Sequence, residues 1–155
     1  MKILAIDPGN ELSAWCLLSD GVPVRFEKEP NAQVLTRLRE DISQWAGAEL
    51  LAIEMIASYG MAVGKEVFDT CLWIGQFKEA WESRGRTIRL VYRREVKIFH
   101  CESVKASDSN IRASIIDRFG PGKSKAIGTK AAPGPLYGIK GDEWSALAVA
   151  LKASA

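Results

Sequence analysis

Apolar positions come first in short runs and then at helical spacing, and the two patterns alternate along the chain. Residues 3–7 (Ile, Leu, Ala, Ile, Asp) form a run broken at once by Pro8-Gly9-Asn10, which predicts a buried strand and a turn. Leu12 to Ser19 predicts a second strand, and Asp20-Gly21 is a strong hairpin signal. Val22 to Glu29 alternates Val22, Val24 and Phe26 against Arg25 and Glu27, the pattern of a half-exposed third strand. Strands joined by such tight turns predict an antiparallel meander.

Pro30-Asn31 opens a helix with Asn31 as its expected N-cap. Val34, Leu35, Leu38, Ile42 and Trp45 recur at helical spacing before Gly47 stops the pattern. Leu50 to Met55 is another unbroken apolar run, and it too carries one carboxylate, Glu54. A strand entered from a helix is expected to pair parallel with the first strand, which would set Asp7 and Glu54 side by side. A long helix is predicted from Lys65 to Arg84, with Val67, Cys71, Ile74, Phe77 or Lys78, and Trp81 on one face and Gly85 as its stop. Thr87 to Tyr92 reads as a fifth strand and Arg93 to Cys101 as a short helix. A further helix capped by Asp108 or Ser109 buries Ile111, Ile115, Ile116 and Phe119. Gly120 to Gly141 reads as a glycine-rich loop, longer than a compact domain tolerates without a use. Asp142 then begins a terminal helix with Ala146, Leu147, Val149, Ala150 and Leu151 as its apolar body. The expectation is one α/β domain over residues 1–155, with a five-stranded mixed sheet (three antiparallel strands, then parallel ones) flanked by helices.

Composition narrows the partner. At 155 residues, 47% apolar and 26% charged, the chain suits a soluble domain with a proper core. No apolar run approaches a membrane span, and four apolar residues ending in Asp7 are too few for a signal peptide. Cys16, Cys71 and Cys101 are odd in number and widely spaced, which predicts free, mostly buried thiols and a cytoplasmic location rather than a disulfide framework or zinc site. The net charge of +2 conceals an asymmetry: residues 1–83 carry −6 and residues 84–140 carry +9. A basic second half suggests a polyanion, nucleic acid before membrane; a solvated Lys/Arg surface is the alternative.

Asp7, Glu54 and Asp142 share one property: each stands at the edge of an element so apolar that it must be core. Carboxylates brought together repel unless divalent cations hold them, and oxygen-only sets suit Mg²⁺ or Mn²⁺. Two such ions roughly 3.5–4 Å apart stabilise the attacking and leaving oxygens of a phosphoryl displacement. Singly, Asp7 also reads as a turn residue and Asp142 as a carboxylate at a helix dipole. Glu54 inside LLAIEMI is harder to explain, because Glu is costly in a central strand.

AIDPGN, then LAIEM after a meander and a helix, then the DEWSALAVA helix, resembles RuvC-type Holliday-junction resolvases over nearly the whole chain. The segment from RFGPGKSK through IGTKAAPGPLYGIKGDEW looks more like phage or prophage versions than like the housekeeping bacterial enzyme. The resemblance implies an RNase H-like fold and a Mg²⁺-dependent endonuclease, with Mn²⁺ substituting, that nicks branched DNA. It implies Asp7, Glu54 and Asp142 as metal ligands. Lys97, in Y-x-x-x-V-K, either assists at the scissile phosphate or simply positions a phosphate, and Lys105 is a looser match for a second lysine. Two symmetric nicks imply a homodimer, for which the long helix offers Phe68, Leu72, Trp73 and Trp81.

The family commonly carries a second acid three positions after Asp142, where this chain has Ser145. Glu143 swinging in, Ser145 holding a metal-bound water, and a weakened site that binds junctions without cutting all remain open. Arg93, Arg94 and Lys97, with Lys105, Lys123, Lys125, Lys130 and Lys140, suit phosphate contacts. Tyr59 either stacks on an unpaired base or packs as a loop aromatic. His100 has no ligand cluster around it. An actin-like nucleotide-binding ATPase also carries an Asp-x-Gly turn on its first strand, but 155 residues are too few for its duplicated domains.

Overall fold

In the computed structural model, which describes residues 1–40, 45 and 47–155, the strands form one sheet in the order β3-β2-β1-β4-β5. β1 (Lys2–Asp7), β2 (Leu12–Ser19) and β3 (Val22–Pro30) make the antiparallel meander; β4 (Leu50–Met55) and β5 (Thr87–Tyr92) add parallel to β1. The helices are α1 (Asn31–Glu40), α2 (Lys65–Glu82), α3 (Arg93–Cys101), α4 (Asp108–Phe119), α5 (Gly122–Ala126) and α6 (Glu143–Ala153). The mixed α/β class expected from the sequence is the observed one.

Strand alternation divides the core into two layers. Leu4, Ile6, Trp15, Leu17, Leu51 and Ile53 face α1 and α2, where Trp45, Phe77 and Trp81 fill the space. Ile3, Ala5, Ala14, Cys16, Leu50, Ala52 and Val91 face α6. The α6 side is built from small residues: Ala146, Ala148 and Ala150 are fully buried against the layer containing Ala5, Ala14 and Ala52. Six consecutive residues of α6, Ala146 to Leu151, are inaccessible because the helix lies between the sheet and α3 and α4. That explains its all-round apolar character.

Several local expectations fail for physical reasons. Asn31 does not cap α1. Its side chain instead accepts from Ser13 Oγ (2.5 Å) and donates to Gly9 O (2.8 Å), clamping the turn that follows Asp7. A Cβ at Gly9 would lie 2.3 Å from Leu12 O, so only glycine fits this clamp. Alternation in β3 breaks because a bulge opposite Leu17 and Leu18 leaves Val24 unpaired, so Val22 and Val24 are exposed and Pro23 is buried. The cap of α4 is Ser107, not Asp108 or Ser109: Ser107 Oγ accepts from Asn110 N–H (3.2 Å), and Asn110 Oδ1 accepts from Ser107 N–H (3.0 Å). Phe119, Val67 and Cys71 are half-buried rather than buried, as is Cys101, so only Cys16 of the three thiols is truly interior. The segment 120–141 contains α5 and a small β-bridge rather than plain loop. Ile42, expected on the α1 stripe, lies outside the described residues.

Candidate metal and nucleic-acid site

β1 and β4 pair in parallel through Ile6 and Ile53, and the next residue on each is a carboxylate. Asp7 shares the parity of Ile3 and Ala5, and Glu54 that of Leu50 and Ala52, so both belong to the α6 side of the sheet. Asp142 enters from the N-terminal end of α6, with helical backbone angles and no capping bond from its side chain. The topology thus brings together the ends of two buried strands and the start of one buried helix.

The electrostatics couple these groups. Burial pushes the Asp7 carboxyl up to about 8, with the charges of Glu54 and Asp142 adding to the rise and Arg93 and Lys28 opposing it. Glu54 is also raised, chiefly by burial, against the pull of Arg93 and Lys97. Glu54 Oε2 is inaccessible and accepts no hydrogen bond; the nearest cation, Arg93 Nη1, stands at 3.6 Å, beyond hydrogen-bond reach. Arg93 also pairs through Nη2 with Asp108 on α4. Asp142 is held by Lys28 Nζ at 2.6 Å. Two cations therefore balance the outer carboxylates. Among the described residues no three Asp, Glu, His or Cys side chains converge into a finished metal cage.

Two clefts meet at Arg93. One, of about 270 Å³, is lined by Arg93, Asp108, Arg112, Asp142 and Ser145, with Trp144 beneath Arg112 at 4.6 Å from guanidinium to ring centroid. The other, of about 290 Å³, is lined by Tyr59, Arg93, Arg94, Lys97 and Val104. The structure thus brings Asp7, Glu54, Asp142, Arg93, Arg94, Lys97 and Tyr59 to one end of the sheet. It leaves Lys105 exposed and outside both clefts, because the turn after α3 carries it away. Lys123, Lys125 and Lys130 lie on the segment after α4, also outside both clefts.

Ser145, three residues along from Asp142, opens onto the same cleft. Glu143 does not: it is 5% exposed, and its Oε1 accepts Lys140 N–H at 3.1 Å. Its charge also helps raise the Cys16 thiol, after burial, which puts it on the β2 side. His100 sits in α3 with its Nε2 3.0 Å from Ala148 O, a structural contact with α6.

Sequence reasoning missed Lys28 and Asp108. Lys28 was legible in principle, since it shares the parity of Phe26, which packs on the α6 layer. Asp108 was not, because nothing local in α4 says its first turn reaches Arg93.

The fold defined by this sheet and its helices is the RNase H-like fold found in Holliday-junction resolvases. The Thermus thermophilus RuvC structure superposes with a TM-score of 0.73 at 16% identity, covering 99% of this chain and 93% of that one. T. thermophilus RuvC in complex with Holliday junction substrate gives 0.71 at 16% identity, covering 99% and 92%. The Fowlpox virus resolvase in its complex with substrate Holliday junction DNA gives 0.53 at 12% identity, covering 99% and 96%. No family model matches the sequence, and no curated protein matches it. At these identities the likeness is one of fold. Among the described residues no helix is long and apolar enough to cross a membrane.

Proposed function

We propose that the protein is a divalent-metal-dependent endonuclease that nicks branched DNA, four-way junctions foremost, and acts as a homodimer through α2. The observation that carries this reading is the pair of half-buried strand-end carboxylates, one with an inaccessible oxygen lacking any hydrogen bond, near a third at the start of α6. Folding alone gives no reason to bury such groups without donors. The fold's solved examples include RuvC and poxvirus resolvase bound to Holliday junction DNA, which supports that substrate class.

The donor set suits Mg²⁺, with Mn²⁺ substituting: Asp7, Glu54 and Asp142 offer only hard oxygens. A divalent ion held there supplies an activated water and stabilises the developing negative charge on phosphate. The chain's own residues do the rest. Asp7 and Glu54 are fixed by the paired strands, and the Ser13–Asn31 clamp turns the chain away to leave their ends open. Lys97 and Arg94, on the wall shared with Tyr59, donate to phosphate oxygens, while Tyr59, 62% exposed, offers a stacking face at the branch. Phe68 and Leu72, 60% and 68% exposed on α2, form the apolar patch that a second copy would cover.

Incubating a labelled four-way junction with Mg²⁺ tests the reading. Wild type is expected to give symmetric nicks, and Asp7→Asn none; full activity in the Asn variant sinks it. A second reading, junction binding without cutting, is favoured by Ser145 in the cleft and by the absence of a finished cage among the described residues. It predicts tight binding with no product at any Mg²⁺ or Mn²⁺ concentration.

A further inference from the structure

The segment joining α4 to α6, residues 120–141, carries Lys123, Lys125, Lys130 and Lys140 and no carboxylate. All four lysines are exposed, and among the described residues none forms an ion pair. Little of the segment is regular structure, yet it is tightly built. Ala126 and Leu136 are fully buried and Ile139 nearly so. Gly134 N–H donates to Ile127 O (2.8 Å), Leu136 N–H to Ala126 O (2.9 Å), and Gly128 N–H to Lys123 O (3.0 Å). The tip, Thr129 to Ala132, is closed by two reciprocal backbone bonds of 3.1 Å and presents Lys130. A Cβ at Gly128 would meet Ala132 O at 2.3 Å, and one at Gly134 would meet Ala126 O at 2.4 Å. The two limbs therefore touch main chain to main chain, and side chains are excluded between them.

Such a scaffold holds like charges near one another with no counter-charge, an arrangement that favours a polyanion. Its ordering cost is met on folding, so binding need not supply it. Its placement sets the reach. α4 starts at the cleft with Asp108 and runs twelve residues to Phe119, about 18 Å at 1.5 Å per residue. The segment begins at that far end and returns to the cleft at Gly141, beside Asp142. A span of about 18 Å is roughly half of a 34–36 Å B-DNA turn.

Resting on the nuclease reading above, we propose that residues 120–141 form a preformed arm whose Lys123, Lys125 and Lys130 grip the phosphate backbone of a duplex limb about half a helical turn from the cut phosphate. The arm holds DNA and takes no part in the chemistry.

The test is the salt dependence of junction binding, measured by fluorescence anisotropy in chelator so that no cutting intervenes. Each phosphate contact contributes about 0.9 to the slope of log affinity against log salt. Lys123→Ala/Lys125→Ala/Lys130→Ala should lower the slope by about 2–3, the corresponding triple Arg variant should restore it, and Lys2→Ala, at the opposite end of β1, should leave it unchanged. A wild-type slope retained in the triple Ala variant overturns the arm and leaves the nuclease reading standing. A slope lowered equally by Lys2→Ala also overturns it, since the effect would then be net charge alone. Wild type that binds no branched DNA overturns the nuclease reading itself.

Discussion

The two faces of the sheet bury carboxylates in opposite ways. On the α1 side, Glu29 is 4% exposed with a donor on each oxygen: Trp15 Nε1–H donates to Oε2 at 3.1 Å and Arg37 Nη2 to Oε1 at 2.5 Å, and these oppose the rise that burial and Glu27 give its carboxyl. On the α6 side, the Glu54 side chain is 16% exposed, but its Oε2 is inaccessible and accepts no hydrogen bond, and burial leaves the Asp7 carboxyl raised to about 8. One carboxylate is served on both oxygens; the strand-end pair is not, since Glu54 Oε2 has only the Arg93 guanidinium, at 3.6 Å. A buried charge is tolerated when it is paired and donor-satisfied, and the proposed metal site rests on this contrast between the two faces.

Removing the unserved charge should break this contrast most visibly. Asp7→Asn is expected to lower cleavage at saturating Mg²⁺ by at least roughly a thousandfold, about 4 kcal/mol of transition-state stabilisation. Its stability should move the other way. The folded-state pKa of about 8 exceeds the unfolded value near 3.9, so the folded protein retains a proton that the unfolded chain has lost. That contribution is fully present below about pH 4 and disappears as pH rises through about 8. In chelator, Asp7→Asn should therefore be more stable than wild type by on the order of 3 kcal/mol at pH 8, and by almost nothing at pH 4. Thermal melts across that window decide it, and added Mg²⁺ should close the gap by stabilising only wild type.

Glu29 should behave in reverse. Glu29→Ala strands the Trp15 N–H and the Arg37 guanidinium and should cost about 2–3 kcal/mol of stability. Urea unfolding with an Arg37→Ala double-mutant cycle should return a clear coupling energy. Metal binding, followed by the Mg²⁺-induced shift in melting, should not change. A lost Mg²⁺ shift in Glu29→Ala would mean that the two faces are not independent.

The sequence shows the strand-end carboxylates more clearly than their surroundings. Asp7 and Glu54 were visible because an apolar strand interrupted by one acid conflicts with its own pattern, and strand order then set them side by side. The parallel pairing of β1 with β4 followed from chain connectivity alone. What stayed hidden depends on long-range geometry. Asn31 has the local signature of a helix cap, yet its neighbour across space, Ser13, is eighteen residues away and claims it for the Gly9 turn. Lys28 and Asp142 are 114 residues apart in sequence and 2.6 Å apart in space. Glycines 128 and 134 read only as members of a glycine-rich loop, whereas the contacts a Cβ would meet there show two limbs packed backbone to backbone.

The smallest expected effect lies at Asp142, the acid of the α6 side that Lys28 already holds. Its partner Lys28 makes a good 2.6 Å contact, but the side chains are 43% and 54% exposed, and such pairs contribute about 1 kcal/mol or less. Lys28 shares a face with the strand-end acids and neutralises the one that α6 supplies, so on the proposed metal site it would compete with a cation for Asp142. Lys28→Ala should therefore lower the Mg²⁺ concentration for half-maximal cleavage by about two- to fivefold, with little change in stability. Lys28→Arg, which keeps the charge, should stay near wild type. A higher Mg²⁺ requirement in Lys28→Ala would reverse the assignment: Lys28 would then be holding Asp142 in place for the metal, making the α6 side, like Glu29 on the other face, partly served by its own fold.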